Sequence, residues 1–501
     1  MNRSMVTRSA AQVFAFVLPL TMLFARPSAA TNLDQTASDA PQTKDDSDDD
    51  QFSVMQVLSD AGLHDLKHER WSAYGQFTYI SSWKAPFSAA YTNLNGSNHS
   101  LLPSSEHSFT ATATLFLGIA LWRGAEVYLV PEMISSRPLS GLVGLGASIQ
   151  NFELQKQGAI TPSVYLSRLY LTQTINLGGS RVERASGPMQ LGTTLDSRRL
   201  LFAIGNYSIL DFFDRNSVVG DPRRQLFSMA FLSHGAYDFA ADSRGYTFGG
   251  LFELHWDDWA VRAGRFAAPK QPNQLELEYR LDRFYSDQVE LEHAHRIAGQ
   301  PGAVRLLGYR NRENTGSFSD AVSAFQADPS KNAAACTSFN YESENATAPD
   351  LCWAREPRTK VGVGVNFEQQ LSHDVGLFAR AMVSDGRTEV YSFTSSDTSA
   401  SCGAVVHGTP WHRPNDVVGT AYAASWVSSA HAQYLSLGGI DGFIGDGGLR
   451  RASERVWELF YSLHVFRSIT LSADYQHISN PAYNADRGPL NVLSGRVHAE
   501  F

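Results

Sequence analysis

Cysteine, charge and long apolar runs are all scarce in this sequence. Three cysteines among 501 residues mean that the fold does not depend on disulfides. Beyond residue 30 no apolar run approaches the roughly 20 residues of a membrane-spanning helix, so any crossing of a membrane must use strands. The net charge of −9 argues against a nucleic-acid-binding protein, because such proteins normally carry a basic patch.

The N-terminus predicts export. Two arginines precede an apolar stretch at 10–24, and "RPSAA" then supplies Ser28 and Ala30 as the small residues of a cleavage site. An uncleaved anchor is the alternative, but the stretch is short and contains Pro19. We therefore predict a cleaved signal peptide over residues 1–30.

Three further segments follow from composition. Residues 31–51 are polar and acidic and predict a disordered linker, because the ligand spacing and central glycine of a calcium loop are missing. Apolar residues at mixed helical spacing predict an N-terminal helical segment over 52–69. Residues 70–501 are then left for one large β domain.

The cysteines suggest one disulfide at most. Cys336 and Cys352 lie in the same loop-like segment, so in an oxidising compartment we expect them to pair, which leaves Cys402 unpaired. A zinc site is the other reading, but no CxxC or HxxxH partner accompanies the pair. No metal and no cofactor are expected.

Strict alternation of apolar and polar residues begins after Trp71. In "SFTATATLFLGIAL" (108–121) alternate residues are apolar and the intervening ones are mainly serine or threonine, and "TKVGVGVNFEQ" (359–369) and "ITLSADYQ" (469–476) repeat the pattern. This period of two is typical of half-buried strands. A soluble sandwich would also show it, so alternation alone does not settle the architecture.

Connection lengths favour a barrel over a sandwich. We divide the chain into strands near 70–83, 107–121, 125–134, 163–177, 198–208, 245–256, 259–267, 287–297, 303–311, 359–371, 375–384, 398–408, 417–427, 453–465, 469–478 and 489–501. Long and short connections alternate along this series, as in outer-membrane barrels with short periplasmic turns and long outer loops. The prediction is an all-β protein, a sixteen-stranded antiparallel transmembrane barrel in the outer membrane.

The closing residues "NVLSGRVHAEF" (491–501) support closure of the sheet. They alternate to the last position, and a last strand paired with the first leaves no open edge. Phe501 is expected to face lipid at the inner interface and to be read by the barrel-assembly machinery. The other members of this aromatic girdle, many of them beside short turns, are expected to be Trp71, Trp122, Trp256, Trp259, Trp457 and Phe466.

Three stretches resemble a known family. They are "FFDRNSVVGDPRRQLFSMAFLSHGAYDFAAD" (212–242), "RGYTFGGLFELHWDDWAVRAGRFAAPK" (244–270) and "ERVWELFYSLHVFRSITLSADYQHISNPAYN" (454–484). Together they are similar to the carbohydrate-selective porins of Gram-negative outer membranes, the OprB family, over roughly residues 60–501. The resemblance implies a sixteen-stranded barrel through which sugars diffuse, usually glucose-like monosaccharides. The sequence departs from it in the acidic tail and in the long segment 312–358, which carries Cys336 and Cys352.

The segment 209–244 is the candidate constriction. A sugar site should combine charged or amide groups for the hydroxyls with aromatic rings for the C–H faces, and this over-long connection has both. We expect it to fold into the lumen; an outer cap held by Asp–Arg pairs is the alternative. Its candidate substrate-binding residues are Asp211, Phe212, Asp214, Arg215, Asp221, Arg223, Arg224, Phe227, Tyr237 and Asp242.

Charges on the strands lie opposite the apolar face. An arginine or lysine facing lipid at mid-bilayer costs about 2–4 kcal/mol, so these side chains are expected to line the pore. They are Glu126, Glu132, Arg168, Glu253, Arg262, Glu290, Glu292, Arg296, Arg380, Glu458, Asp474 and Arg496.

The expected function is passive diffusion of carbohydrates. A pore for other small solutes, oligosaccharides or acidic sugars is the alternative, although an acidic lumen would disfavour anions. No nucleophile elbow and no HExxH motif occurs, so an enzyme is not expected. An adhesion or assembly barrel would differ in having a plugged lumen. The expected partners are carbohydrate solutes and outer-membrane lipids, and the barrel is expected to be a monomer or a trimer.

Overall fold

A closed antiparallel barrel forms the body of the protein. The computed structural model describes residues 53–329, 347–466 and 468–501, and within these ranges it contains sixteen strands. They are β1 Trp71–Lys84, β2 Glu106–Trp122, β3 Ala125–Arg137, β4 Ser163–Arg184, β5 Thr193–Tyr207, β6 Thr247–Trp256, β7 Trp259–Phe266, β8 Tyr285–Ile297, β9 Gln300–Gly316, β10 Arg355–Gln370, β11 Val375–Ser384, β12 Thr398–Gly408, β13 Arg413–Trp426, β14 Glu454–Phe466, β15 Ile469–Ser479 and β16 Leu490–Glu500. The predicted fold class is confirmed. The predicted signal peptide, the acidic linker and Cys336 lie outside the described residues.

The first and last strands close the sheet. β1 pairs antiparallel with β16 from Gln76↔Glu500 to Lys84↔Val492, and every other strand pairs with its neighbours in sequence. Phe501 extends the pairing, because its N–H donates to the Gly75 carbonyl at 2.9 Å and its own carbonyl accepts from the Gly75 N–H at 2.7 Å. Its ring covers Gly75, where an added Cβ would lie 2.2 Å from the ring.

Short and long connections alternate around the barrel, as expected. The short turns include 123–124, 257–258, 298–299, 371–374 and 409–412. The long connections include 85–105, 138–162, 208–246, 267–284, 317–354, 385–397, 427–453 and 480–489. By the convention of outer-membrane barrels, the short turns mark the periplasmic end and the long connections the outer end.

The hairpin of β4 and β5 is longer than the sequence suggests. The expected connection 178–197 is largely strand, since β4 continues to Arg184 and β5 begins at Thr193. Register shifts at Gly178 mark where the hairpin leaves the regular barrel ladder. The alternation weakens there, which explains why the pattern does not reveal the extension. Residues 185–192, which we call the periplasmic tip, form its turn.

The two faces of the wall are segregated as a membrane barrel requires. In β2 the inward side chains of Ser108, Thr110 and Thr112 are buried, whereas Leu115 and Ile119 face outward and are exposed. Among the largest fully buried side chains of the described residues are Arg262, Arg305 and Arg496. Polar groups therefore fill the inside and apolar groups cover the outside, which is the reverse of a soluble barrel.

Aromatic side chains form two exposed groups rather than one. Trp71, Trp122, Trp256, Trp259, Phe466 and Phe501 are exposed near the short-turn end. Trp457 is also exposed, but it lies near the start of β14, at the outer end. It belongs with Trp83 and Trp426, which are exposed at the outer ends of β1 and β13. Its placement with the inner girdle is wrong, because the connection before β14 is a long one.

Three helices occur in the described residues. They are α1 Val54–Asp60, α2 Phe318–Ala327 and α3 Ser429–Ser436. The hydroxyls of Ser317 and Ser428 cap α2 and α3 by accepting backbone N–H groups. α1 covers only the start of the predicted helical segment 52–69, and Met55 is its buried residue. None of the helices in the described ranges has the length and apolar character of a membrane-spanning helix.

Cys352 is disulfide-bonded, and Cys402 is a free thiol exposed on β12. Because Cys336 lies outside the described residues, the pairing of Cys336 with Cys352 stays a prediction.

Candidate functional site in the barrel lumen

A ladder of arginine and glutamate residues lines one side of the lumen. Arg262 on β7 is its centre: Nη1 donates to Glu290 Oε1 at 2.8 Å and to Glu292 Oε2 at 2.9 Å, and Nε donates to Glu253. Arg305 on β9 continues the ladder, with Nε donating to Glu292 Oε2 at 2.8 Å. Each strand contributes at every second position, so the ladder follows directly from strand parity.

The connection between β5 and β6, residues 208–246, folds into this lumen, and we call it the lumen loop. It carries its own apolar core, because Phe213, Phe227, Phe231, Tyr237 and Phe239 are almost fully buried. Loops normally run over the surface with polar side chains. The aromatic content of this loop therefore requires an enclosed position, and the lumen supplies it.

One anchor of the lumen loop is on the far wall. The guanidinium of Arg496 on β16 donates to the carbonyls of Pro222, Arg224 and Gln225, each at 2.8 Å. On β14, Glu458 accepts the N–H groups of Phe227 at 2.5 Å and Ser228 at 3.0 Å. Because these strands lie across the barrel from β5 and β6, the loop spans the lumen.

A second anchor involves Arg223. Its guanidinium lies 2.7 Å from Glu153 Oε1 and 2.9 Å from Glu132 Oε2. Lys156 reaches the other oxygen of Glu132 at 2.8 Å. Burial lowers the pKa of Arg223, but the carboxylates of Glu153 and Glu132 raise it well above its ordinary value. The loop is thus tied to β3 and to the 138–162 connection by charged groups.

A third anchor involves Asp214, which is buried. Its Oδ1 accepts from Asn366 Nδ2 at 2.6 Å and lies 3.3 Å from Arg380 Nε, while its Oδ2 accepts the His234 N–H at 2.9 Å. Burial lowers the pKa of His234 to about 4, so this imidazole is neutral at pH 7. Asp214 therefore forms its ion pair with Arg380 on β11.

The rest of the loop binds the wall in the same way. The Tyr237 hydroxyl donates to Gln288 Oε1 on β8 at 2.7 Å, and Lys360 Nζ lies 2.9 Å from Asp238 Oδ2. Asp242 closes a turn by accepting the N–H groups of Arg244 and Tyr246. Burial raises the pKa of Asp242 to about 6.

The periplasmic tip is a second obstruction, below the lumen loop. Leu191 is buried, its N–H donates to the Tyr128 hydroxyl at 3.2 Å, and its carbonyl accepts from Arg184 Nε at 2.9 Å. Tyr128 is an inward residue of β3, so the tip turns into the barrel mouth. Glu69, from the segment before β1, holds it from outside by accepting the Gly192 N–H and the Ser186 hydroxyl, each at 2.6 Å.

A cavity of about 350 Å³ lies between the two obstructions. The lumen loop contributes Asp211, Phe212 and Arg215 to its lining, and the periplasmic tip contributes Met189 and Gln190. The barrel wall adds Glu126, Tyr128, Tyr170, Arg184, Arg199 and Glu253, among others. Charged side chains and aromatic rings therefore meet around one cavity.

The structure separates the predicted constriction residues into two groups. Asp211, Phe212 and Arg215 face the cavity. The others serve mainly as anchors: Asp214, Arg223 and Tyr237 bind the wall, Phe227 lies against the Arg496 guanidinium at 4.2 Å, and Asp242 closes its turn. Arg224 pairs with Glu500, and Asp221 lies 3.7 Å from Arg224.

The predicted pore-lining residues divide similarly. Glu126 and Glu253 face the cavity. Arg168 pairs with Asp211, and Asp474 accepts from Gln476 at 3.1 Å. Arg296 lies exposed at the periplasmic rim, with Nη1 donating to the Gly299 carbonyl at 3.0 Å. The remaining predicted pore-lining residues are buried and belong to the loop anchors or to the ladder. They are Glu132, Arg262, Glu290, Glu292, Arg380, Glu458 and Arg496.

Sequence reasoning missed four of the charged and aromatic residues that line the cavity. Tyr128 and Tyr170 share the inward parity of Glu126 and Arg168, so extending the parity argument from charges to tyrosines would have found them. Arg184 ends the extension of β4, which the alternation does not reveal. Arg199 lies within the predicted strand 198–208, so the parity argument would have found it as well.

A sixteen-stranded barrel with an apolar exterior and a charged lumen crossed by a folded loop defines an outer-membrane porin. The sequence model of the family described as "Carbohydrate-selective porin, OprB family" matches residues 98–501. The chain belongs to that family, whose members are channels rather than enzymes. No curated protein matches the sequence.

Three solved structures are similar to the chain, and the first of them supports the fold. The high-pH structure of Pseudomonas putida OprB superposes with a TM-score of 0.61 at 16% identity, and the match covers 89% of this chain and 96% of that one. Pseudomonas aeruginosa OccK2 (OpdF) gives a TM-score of 0.41 at 11% identity, with 87% and 98% covered. The DcaP channel of Acinetobacter baumannii gives 0.45 at 10% identity, with 86% and 97% covered.

Proposed function

We propose that this porin passes glucose-like monosaccharides by passive diffusion into the periplasm, and that the lumen loop sets the aperture. The observation that supports this proposal most strongly is the path of the lumen loop. It leaves the wall at β5 and β6 and contacts Glu458 and Arg496 on the opposite wall. A pore narrowed by a rigid loop excludes solutes by size, and polar groups on its surface replace the water that a solute loses.

The cavity supports a sugar as the solute. Tyr128 and Tyr170 have ring centroids 5.3 Å apart, and Phe212 lies 6.2 Å from Tyr170. Phe212 is the partly exposed ring of this cluster and offers an apolar face to the C–H groups of a sugar ring, while the surrounding charged side chains can hydrogen-bond its hydroxyls. A cavity of about 350 Å³ suits a solute of monosaccharide size better than an oligosaccharide.

Liposome swelling tests this proposal. Purified protein is reconstituted, and swelling is compared in glucose, maltose and a neutral amino acid similar in size to glucose. We expect glucose to enter faster than both of the other solutes. Equal entry of glucose and the amino acid would contradict sugar selectivity, and no swelling with any solute would contradict a pore altogether.

Two variants assign the aperture to the lumen loop. Arg223→Ala and Phe227→Ala each remove an anchor, so the loop should loosen and maltose should enter faster. Unchanged maltose entry in both variants would place the aperture elsewhere. Arg283→Ala, at an exposed position of an outer connection, is the control.

The remaining parts of the proposal concern export and assembly. The signal peptide is cleaved after Ala30, which the mass of the mature protein tests. Phe501, at the end of the closing strand, is recognised by the assembly machinery, and Phe501→Ser should lower the amount of folded barrel in the outer membrane.

A further inference from the structure

The hydrogen-bonding capacity of the cavity is unevenly used. Its three lining carboxylates are Glu126, Asp211 and Glu253. The oxygens of Glu126 accept from Arg184 and from the Tyr128 hydroxyl. A solute therefore meets at Glu126 a carboxylate that is already engaged on both sides.

The other two carboxylates are engaged in the same way. Arg168 donates to both oxygens of Asp211, at 2.7 Å each. The oxygens of Glu253 are bound by His255 and by Arg262. Every carboxylate oxygen that lines the cavity thus already has a hydrogen-bond partner from the protein.

Arg215 is the opposite case. Within the described residues, its guanidinium forms no hydrogen bond and no ion pair, although the residue lines the cavity and is only partly exposed. The nearby carboxylates that attract it, Glu253 and Glu292, are both hydrogen-bonded to Arg262. The five N–H donors of this guanidinium have no protein acceptor and are therefore available to a solute in the cavity.

This imbalance selects among sugars. A neutral sugar presents hydroxyls that both donate and accept, and its donated hydrogen bonds would have to share carboxylate oxygens that each already accept one from the protein. A carboxylate on the sugar only accepts, and its two oxygens match the planar guanidinium in a bidentate pair. A partly buried cation without a protein acceptor is costly, so the pairing also offsets part of that cost.

We propose that the cavity between the lumen loop and the periplasmic tip is a binding site for a monosaccharide acid, held by a carboxylate–Arg215 pair with its ring against Phe212. The assignment rests on the proposed sugar pore and names a second solute class for it. The acidic residues of the lumen do not oppose an anion here, because arginines neutralise those that line the cavity.

Block of ion current through a planar bilayer tests the site. Sodium glucuronate is compared with glucose at constant ionic strength, since the two share a ring and differ at one carboxylate. The expected half-blocking concentration of glucuronate is about tenfold lower than that of glucose, equivalent to about 1.4 kcal/mol. Arg215→Gln should abolish this difference between the two solutes.

Two further variants and one further anion separate a specific site for a sugar acid from a general effect of charge. Arg215→Lys keeps the charge but not the bidentate geometry, so it should retain only part of the preference, and Arg283→Gln should retain all of it. Equal block by glucose and glucuronate, or an unchanged preference in Arg215→Gln, would overturn the assignment. Inorganic phosphate that blocks as strongly as glucuronate would reveal a site for any anion and would also overturn it. Failure of glucose to enter liposomes would instead contradict the proposed pore.

Discussion

The lumen loop and the periplasmic tip both obstruct the barrel, but they are held differently. The loop is fixed from several strands through buried ionic contacts, among them Asp214–Arg380 and Arg223–Glu132. The tip is held by fewer charged contacts: Glu69, on a segment that precedes the barrel, accepts two of its donors, and Tyr128 and Arg184 bind the backbone of Leu191. From this difference we expect the loop to stay in place and the tip to open without unfolding the barrel.

The largest expected effect is a loss of unfolding free energy when the ladder in the wall that supports the loop is broken. Arg262→Met leaves Glu253, Glu290 and Glu292 buried without their common cation, and breaking such a network costs about 3–5 kcal/mol. Glu290 also accepts the Asp214 N–H at 2.8 Å, so the loop should lose order with it. Unfolding in urea, followed by the shift in electrophoretic mobility, measures the loss.

The control for that change is a surface pair. Arg265 Nε bonds Asp287 Oδ1 at 2.7 Å, but Arg265 is exposed. Arg265→Met should therefore cost no more than about 1 kcal/mol. Equal losses in the two variants would contradict the distinction between buried and exposed ion pairs.

A smaller and more local effect is expected at the tip. Glu69→Ala removes the acceptor of the Gly192 N–H and the Ser186 hydroxyl, and hydrogen bonds to a charged group contribute about 1.5–3 kcal/mol each. The tip should leave the barrel mouth more often, which raises single-channel conductance while the barrel stays folded. Asp65→Ala, at an exposed position of the same segment, should leave conductance unchanged; a rise in both variants would mean that Glu69 has no special role.

The smallest expected effect is a pH dependence of the unfolding free energy, which arises from a histidine at the outer end of the barrel. His431 on α3 lies 3.0 Å from Asp397 and 3.2 Å from Asp441, and Asp397 ends the 385–397 connection, whose Thr394 hydroxyl donates to the Gly235 carbonyl of the lumen loop at 2.6 Å. Burial lowers the pKa of His431, but the two carboxylates raise it overall to about 9.

Because the folded state binds this proton more tightly, the stabilisation is complete below about pH 6.5 and is lost as the pH rises through about 9. Between pH 7 and pH 9 we expect a loss of about 2 kcal/mol in unfolding free energy. His431→Gln should flatten the profile in that range. An equally steep profile in the variant would assign the dependence to another group.

Much of the fold follows from local pattern, but the site does not. Alternation in β2 and β10 is a property of each strand alone, so strand number and facing were predictable from the sequence. The partners of Arg223 and Arg496 depend on the path of the lumen loop across the barrel. That path is set by long-range packing of Phe213 and Phe227, which no local period encodes.

Two further differences have the same cause. Trp457 lies at the outer end rather than at the predicted inner end, because the connection that precedes β14 is a long one. Phe227 and Tyr237 are predicted to bind a solute, but in the structure they are buried anchors of the loop. An aromatic ring in a polar loop suits stacking on a sugar and packing in a buried core equally well. The composition of the loop indicates a lumenal position but does not identify which rings face the solute.

The central claim is that the anchored lumen loop sets the aperture. It is tested most directly by the ratio of maltose to glucose swelling rates in liposomes, for the natural protein and for Arg496→Met, which frees the carbonyls of Pro222, Arg224 and Gln225. We predict a low ratio for the natural protein and a clearly higher ratio for the variant, with the barrel folded in both. The same low ratio in a folded Arg496→Met barrel would contradict the claim.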